Sequence, residues 1–281
     1  MNSDIMVQKY AIDRLIETAL AEDLGAGDIT TTAALTGEEK GNARAVAKSD
    51  TTVAGIDVFR ETFLFLDGGL TFTGHFRDGQ TVKKGDVIAE IAGTLASILV
   101  AERVALNFFQ RMCGIATMTK RFVDEIRGSK ARILHTRKTV PGLRLLDTYA
   151  VRMGGGFSHR FGLSDGALVK DNHIASAGSI ARAVAAVRLR IPLTVKIEVE
   201  VTNLREVEEA LAAGADVIMF DNMSLADMTE AVRLVAGRVP LEASGNVTLD
   251  NVKKVSETGV DFISVGALTH SVKAADISLR V

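Results

Sequence analysis

The chain has one cysteine, Cys113, and three prolines in 281 residues. A lone thiol excludes an internal disulfide framework and favours a reducing compartment. Few prolines and no low-complexity tract argue against long disordered linkers. No apolar run approaches the ~20 residues that a membrane-spanning helix requires. The opening stretch MNSDIMVQKY lacks the apolar core of a signal peptide. Basic charge is not in excess either: 33 lysines and arginines meet 35 acids, for a net charge of −2. General nucleic-acid binding needs a basic face, so that class is disfavoured. The expectation is a cytoplasmic globular protein with neither membrane nor nucleic acid as partner. Its length suits one large α/β domain or two modest ones.

What is present changes character along the chain. Residues 8–22 carry Ile12, Leu15, Ile16, Ala19 and Leu20 at helical spacing. Between about 42 and 93, short β-rich pieces such as NARAVAK and DVIAEIAG are parted by glycine turns, which predicts a small sheet. Residues 97–112 return to a strongly apolar helix. After about 130, apolar runs alternate with helical stretches: ARILH, GALVK, LTVKIEVEV, ADVIMF, PLEAS and DFISV. The tails of the last five fall at about 170, 200, 221, 244 and 266. That alternation predicts parallel βα units, most simply a barrel. Residues 1–111 are read as one domain and 112–281 as the barrel domain, with the extreme C-terminus able to fold back on the first.

In a βα barrel, chemistry sits where the strands end. At or just after the ends of these runs stand Lys170, Glu200, Asp221 with Asn222, Ser244 with Gly245, and Gly266. In TVKIEVEV, Lys196, Glu198 and Glu200 alternate with apolar residues, so all three share one face. Either that face is solvated on an edge strand, or it forms an inward ion-paired layer topped by Glu200; the regular flanking units favour the second. ASGNVT and SVGALTHS place glycine where a strand becomes a helix, a pattern suited to phosphate in the last βα loops.

A run of cations remains. Arg137 and Lys138 follow directly on ARIL, and His159 and Arg160 follow the triple glycine of GGGFSHR. Arginine suits planar carboxylates and lysine suits phosphate. Together with Lys170 they call for a ligand with several negative charges. Glu200 and Asp221 fit magnesium carried by a pyrophosphate, or ribose hydroxyls. Arg144 and Arg152 lie opposite an apolar stripe of Leu146, Tyr149, Ala150 and Met153 and read as a solvated face. Two other classes share parts of this pattern. Lys170 in a barrel could serve a Schiff-base aldolase, and DGQTVKKGDVIAEIAG resembles a carrier-domain hairpin without the modified-lysine motif.

The segments ERVALNFFQRMCGIAT, TRKTVPGLR, YAVRMGGGFSHRFGL, VKDNHI, KIEVEV, MFDN, EASGN and SVGALTHS, with the early EDLGAGDITT, resemble the quinolinate phosphoribosyltransferases over nearly the whole chain. The resemblance implies an N-terminal α+β sheet domain joined to an incomplete α/β barrel of the type II phosphoribosyltransferase kind. It implies transfer of phosphoribosyl from phosphoribosyl pyrophosphate to quinolinate, giving nicotinate mononucleotide, pyrophosphate and CO2 with Mg2+, a step towards NAD. It also implies a homodimer in which Arg103 enters the neighbouring site. By the same resemblance Arg137, His159 and Arg160 hold the quinolinate carboxylates. Lys138 and Lys170 lie near the reacting centre and pyrophosphate, Glu200 and Asp221 face ribose and metal, and Ser244, Gly245, Gly266 and His270 hold the 5′-phosphate. The chain departs from the family pattern at His135 (commonly Asp), Thr148 (Lys), Ser158 (Asn) and Cys113 (Ser). A paralogous group associated with molybdate transport shares the fold but tends to lose the KDNH pattern, which is intact at 170–173.

Overall fold

The computed structural model describes residues 3–281, with side chains from Lys9 onward. Met1 and Asn2, with which MNSDIMVQKY and the first expected domain begin, lie outside the described residues. In chain order the first elements are α1 (Ser3–Leu24), α2 (Ile29–Ala34), β1 (Lys40–Ala47), β2 (Thr51–Thr52), α3 (Ile56–Leu66), β3 (Thr71–Gly74), β4 (Thr81–Val82), β5 (Val87–Thr94) and α4 (Leu95–Glu125). Then come β6 (Arg132–Leu134), α5 (Arg144–Met153), β7 (Ala167–Val169), α6 (Asp171–Ala177), α7 (Ile180–Arg188), β8 (Ile197–Val201) and α8 (Leu204–Ala212). The last are β9 (Val217–Asp221), α9 (Leu225–Val235), β10 (Leu241–Ser244), α10 (Val252–Glu257), β11 (Phe262–Ser264), α11 (Ala267–His270) and β12 (Ile277–Arg280).

These elements form two compact units. One holds the chain up to Met118 with Val140–Gly154 and Val272–Val281; the other holds Thr119–Thr139 and Gly155–Ser271. Where the sequence drew one boundary near 111, the chain changes unit after Met118, Thr139, Gly154 and Ser271.

The first unit is built on an antiparallel sheet in the order β12-β1-β5-β3. In β1 the period-two pattern of strands buries Ala43, Ala45 and Ala47. Against them pack Ile98, Ala101, Ala105, Phe109 and Cys113, spaced at three and four residues along α4. Phe59 stacks on Phe109 at 4.7 Å and meets Phe63 edge-on at 5.1 Å. Helix α5 belongs to this unit. Its Asp147, fully buried, takes a two-pronged ion pair from Arg111 at 2.8 and 2.7 Å. Tyr149 donates to Asp78 at 2.6 Å, and Asp78 also accepts the Gly55 and Ile56 amides that open α3. The hairpin that resembles a carrier domain is therefore tied into this unit through Asp78.

The second unit carries six parallel strands in the order β6-β11-β10-β9-β8-β7. From β7 to β11, neighbours in sequence are neighbours in space, and β6 returns to pair with β11. This is barrel order with an opening between β6 and β7. The Phe157 segment lies along β6 at that opening: its amide donates to the Ile133 carbonyl at 2.7 Å, and Phe157 forms a parallel bridge with Leu134. The unit is thus an incomplete α/β barrel. All six apolar runs read from the sequence hold its strands, because each is short and cut off by a polar or glycine-rich turn.

Candidate active site

Strands that run in parallel deliver their C-terminal residues to one rim. Lys170, Glu200, Asp221 and Ser244 follow or end β7, β8, β9 and β10, and all four line a cleft of about 570 Å³. Arg137 and Lys138, just past β6, line it as well. His159 and Arg160 enter from the segment that follows the Phe157 bridge. Asn222 lines it beside Asp221, and residues the sequence did not single out complete the lining: Thr136, Glu242, Asn246 and Ser264, with Leu168 and Met219 as apolar walls.

The two guanidinium groups are close enough to sense each other. Burial lowers the Arg160 pKa first, and the positive charge of Arg137 lowers it further. Arg160 is held by donation to the Gly166 carbonyl at 3.0 Å. The Arg137 Nε is buried with no hydrogen-bond partner among the described residues. A buried unpaired guanidinium nitrogen is costly unless an anion meets it, so this atom points to an acidic ligand. In the same cleft, Lys170 Nζ forms an ion pair with Glu200 Oε2.

His159 is oriented by both of its ring nitrogens. Nε2 lies 3.2 Å from Glu198 and 3.4 Å from Glu242, and the Arg160 amide donates to Nδ1 at 2.7 Å. Burial opposes charge on this ring, but the hydrogen bonds to Glu198 and Glu242 and their negative charge raise its pKa to about 10. Burial likewise raises the pKa of Glu242. The cluster therefore retains a proton at neutral pH. At neutral pH Nε2 therefore carries a proton, held between the two carboxylates. His159, Glu198 and Glu242 are spaced closely enough to hold a metal ion. A ring nitrogen that keeps its proton at neutral pH has no lone pair to give a metal, so the donor set does not fit one.

This arrangement corrects one expectation. Lys196 is exposed, and it does not form an interior layer with Glu198 and Glu200. Glu198 turns to His159 and Glu200 to Lys170, so the pairing runs between elements and not along β8. His135, where the family commonly has an acid, is buried and its Nε2 accepts the His159 amide at 3.2 Å. It thereby anchors the segment that carries His159 and Arg160.

The turn after β10 is shaped for close approach. Gly245 has φ of 90° and Asn246 of 52°. Gly266 and His270 are not in the cleft lining; a Cβ at Gly266 would come 3.1 Å from Lys138 Cδ and 3.0 Å from the His270 ring, which puts both beside Lys138. Arg103 lies in the other unit on α4, with 60% of its side chain exposed and a 3.9 Å contact to Glu102.

Comparison with known proteins agrees with this geometry. The model of the quinolinate phosphoribosyl transferase C-terminal domain matches residues 115–280, and that of the N-terminal domain matches 28–113. The probable nicotinate-nucleotide pyrophosphorylase [carboxylating] of Bacillus subtilis is 45% identical over 270 residues, covering 96% of this chain and 93% of that protein. The chloroplastic nicotinate-nucleotide pyrophosphorylase [carboxylating] of Arabidopsis thaliana is 46% identical over 291 residues, covering 97% and 83%. The crystal structure of NadC from Streptococcus pyogenes superposes with a TM-score of 0.94 at 42% identity, covering 97% of this chain and 96% of that one. Family models spanning both units, and relatives this similar along most of their length, establish that the chain belongs to the quinolinate phosphoribosyl transferase family.

Proposed function

We propose that this protein transfers the phosphoribosyl group of phosphoribosyl pyrophosphate to quinolinate with loss of CO2, forming nicotinate mononucleotide and pyrophosphate for NAD synthesis. The observation that carries this reading is the shared cleft, which Arg137, Arg160, the Lys170–Glu200 pair and Asp221 all line. Two guanidinium groups match the two carboxylates of quinolinate, each through a planar two-pronged contact. The unpaired Arg137 Nε supports that assignment. His159 orients the Arg160 segment from beneath, since both its nitrogens face protein groups.

The sugar lies toward Glu200 and Asp221, with its 5′-phosphate at the Ser244–Gly245 turn. Gly266 and His270 flank Lys138 and extend this basic edge. The ring nitrogen of quinolinate attacks the anomeric carbon as pyrophosphate departs. Positive charge then builds on the ribose, and Glu200 and Asp221 stabilise it. Lys138 and Lys170 take up charge on the leaving pyrophosphate. Both acids also offer hard oxygen donors to a Mg2+ ion that arrives with the pyrophosphate, and such an ion neutralises phosphate charge. The pyridinium formed in the first step accepts the electrons released when the adjacent carboxylate leaves, and the vacated carbon takes up one proton. Holding both substrates side by side supplies up to ~7–11 kcal/mol of the barrier reduction.

Arg103 completes the site of a second copy in a homodimer; its exposure on α4 supports this. Mixing Arg103→Ala with Asp221→Ala subunits then restores part of the activity that each lacks alone, and no restoration refutes the shared site. The protein works in the cytoplasm, a reading supported by a lone buried cysteine and by the absence, among the described residues, of a helix long and apolar enough to cross a membrane. The direct test supplies purified protein with quinolinate, phosphoribosyl pyrophosphate and Mg2+. Release of CO2 and nicotinate mononucleotide is expected. No product refutes the reading, and equal use of nicotinate refutes the role given to the second carboxylate.

A further inference from the structure

Two asparagines at the cleft hold backbone conformations that residues other than glycine seldom adopt. Asn222, just after β9, has φ of 54°, and Asn246, just after β10, has φ of 52°. Asparagine tolerates this region better than most residues, yet it holds it only where its surroundings compel it. The surroundings are a chain of side-chain amides. The Asn251 Oδ1 accepts the Thr248 amide at 2.8 Å, which turns its Nδ2 to the Asn246 carbonyl at 2.9 Å. Asn246 Nδ2 donates to Asn222 Oδ1 at 2.8 Å, and Asn222 Nδ2 donates to Asp221 Oδ1 at 3.0 Å. Asn251 thus holds the Asn246 backbone, and because a side-chain amide has one accepting and one donating end, the Asn246–Asn222 bond fixes which end of Asn222 faces Asp221.

The backbone repeats the link. The Asn222 amide donates to the Ser244 carbonyl at 3.0 Å, and Asp221 is paired with Ser244 where β9 meets β10. Gly245, with φ of 90°, lies flat against the Asn222 side chain; a Cβ there would come within 2.6 Å of Asn222 Cγ. The turn after β10 and the carboxylate at the end of β9 are therefore one hydrogen-bonded assembly.

We propose that Asn222 and Asn246 are positioning residues that couple the phosphate-facing turn at Gly245 to the Asp221 carboxylate. Seating the 5′-phosphate of the sugar on that turn also sets the acid that faces the ribose. The proposal rests on the function assigned to this cleft. Interactions of this kind, formed away from the reacting atoms but expressed at them, raise turnover more than they tighten ground-state binding.

The test is a double-variant cycle on the forward reaction. Asn246→Gly keeps a residue at ease with positive φ and removes the amide. Asn222→Asp keeps the shape of the side chain and removes the donor to Asp221. Each is expected to lower kcat about tenfold while KM for phosphoribosyl pyrophosphate moves less than about threefold. In an Asp221→Ala background, the same Asn246→Gly change is expected to alter kcat by less than about twofold, since there is nothing left to position. Losses that simply multiply would overturn the coupling, as would unchanged kcat in both single variants. A loss in Asn246→Gly accompanied by a large fall in melting temperature, with none in Asn222→Asp, would also overturn it. If Asp221→Ala itself turns over normally, the reading of the cleft fails instead, so the two failures are distinct.

Discussion

Replacing Arg137 with alanine removes one of the two guanidinium groups assigned to quinolinate. The side chain is half-buried, and its Nε is shielded from water with no protein partner. Its contact with a ligand carboxylate would thus form away from solvent screening. Truncating one side of a buried, hydrogen-bonded charge pair costs about 2–5 kcal/mol. At about 1.4 kcal/mol per decade, KM for quinolinate should rise from about 30-fold to several thousand-fold. In the proposed arrangement the other substrate lies away from this group, so KM for phosphoribosyl pyrophosphate should change less than about threefold. Arg137→Lys restores the charge without the planar fork and should recover only part of the loss. Initial rates measured against each substrate in turn decide the matter. Equal losses for the two substrates, or full recovery with lysine, would refute the assignment of Arg137 to a carboxylate.

Other consequences follow from the same coordinates. Arg111→Met leaves Asp147 buried without its partner and should destabilise the protein by about 3–5 kcal/mol in urea unfolding, with Arg111→Met/Asp147→Leu recovering much of the loss. His159 and Glu242 both bind protons more tightly folded than unfolded. Their contribution is complete below the unfolded pKa of each group, so for His159 stability should fall as pH rises from about 6.5 toward about 10, and Glu242→Gln should flatten that slope. Burial raises the Cys113 thiol pKa well above its ordinary value, so a thiol reagent should label the native protein only as fast as it unfolds.

The barrel was legible because its strands are short apolar runs with polar ends. Lys170, Glu200, Asp221 and Ser244 could be grouped from their positions alone, and the cleft gathers all four. Helix α4 was read as ending near Met112 but runs to Glu125. Gly114 lies inside the helix, where a Cβ would collide with the Lys273 carbonyl. The side of the molecule that α5 joins was not legible either, since the decisive contact is Arg111 with Asp147, two charged residues far apart in sequence. The same is true of His159 with Glu198 and Glu242. Periodicity reports which face a strand residue takes, but not which loop will return to meet it. The left-handed turns at Asn222 and Asn246 are invisible to pattern reading, because asparagine is equally common in ordinary turns.

A crystal structure with quinolinate and an unreactive phosphoribosyl pyrophosphate analogue bound together tests the shared cleft most directly. The pyridine carboxylates should lie on Arg137 and Arg160, with the ribose against Glu200 and Asp221 and the 5′-phosphate at Gly245. Quinolinate bound away from the two arginines, or the two ligands in separate places, would contradict it.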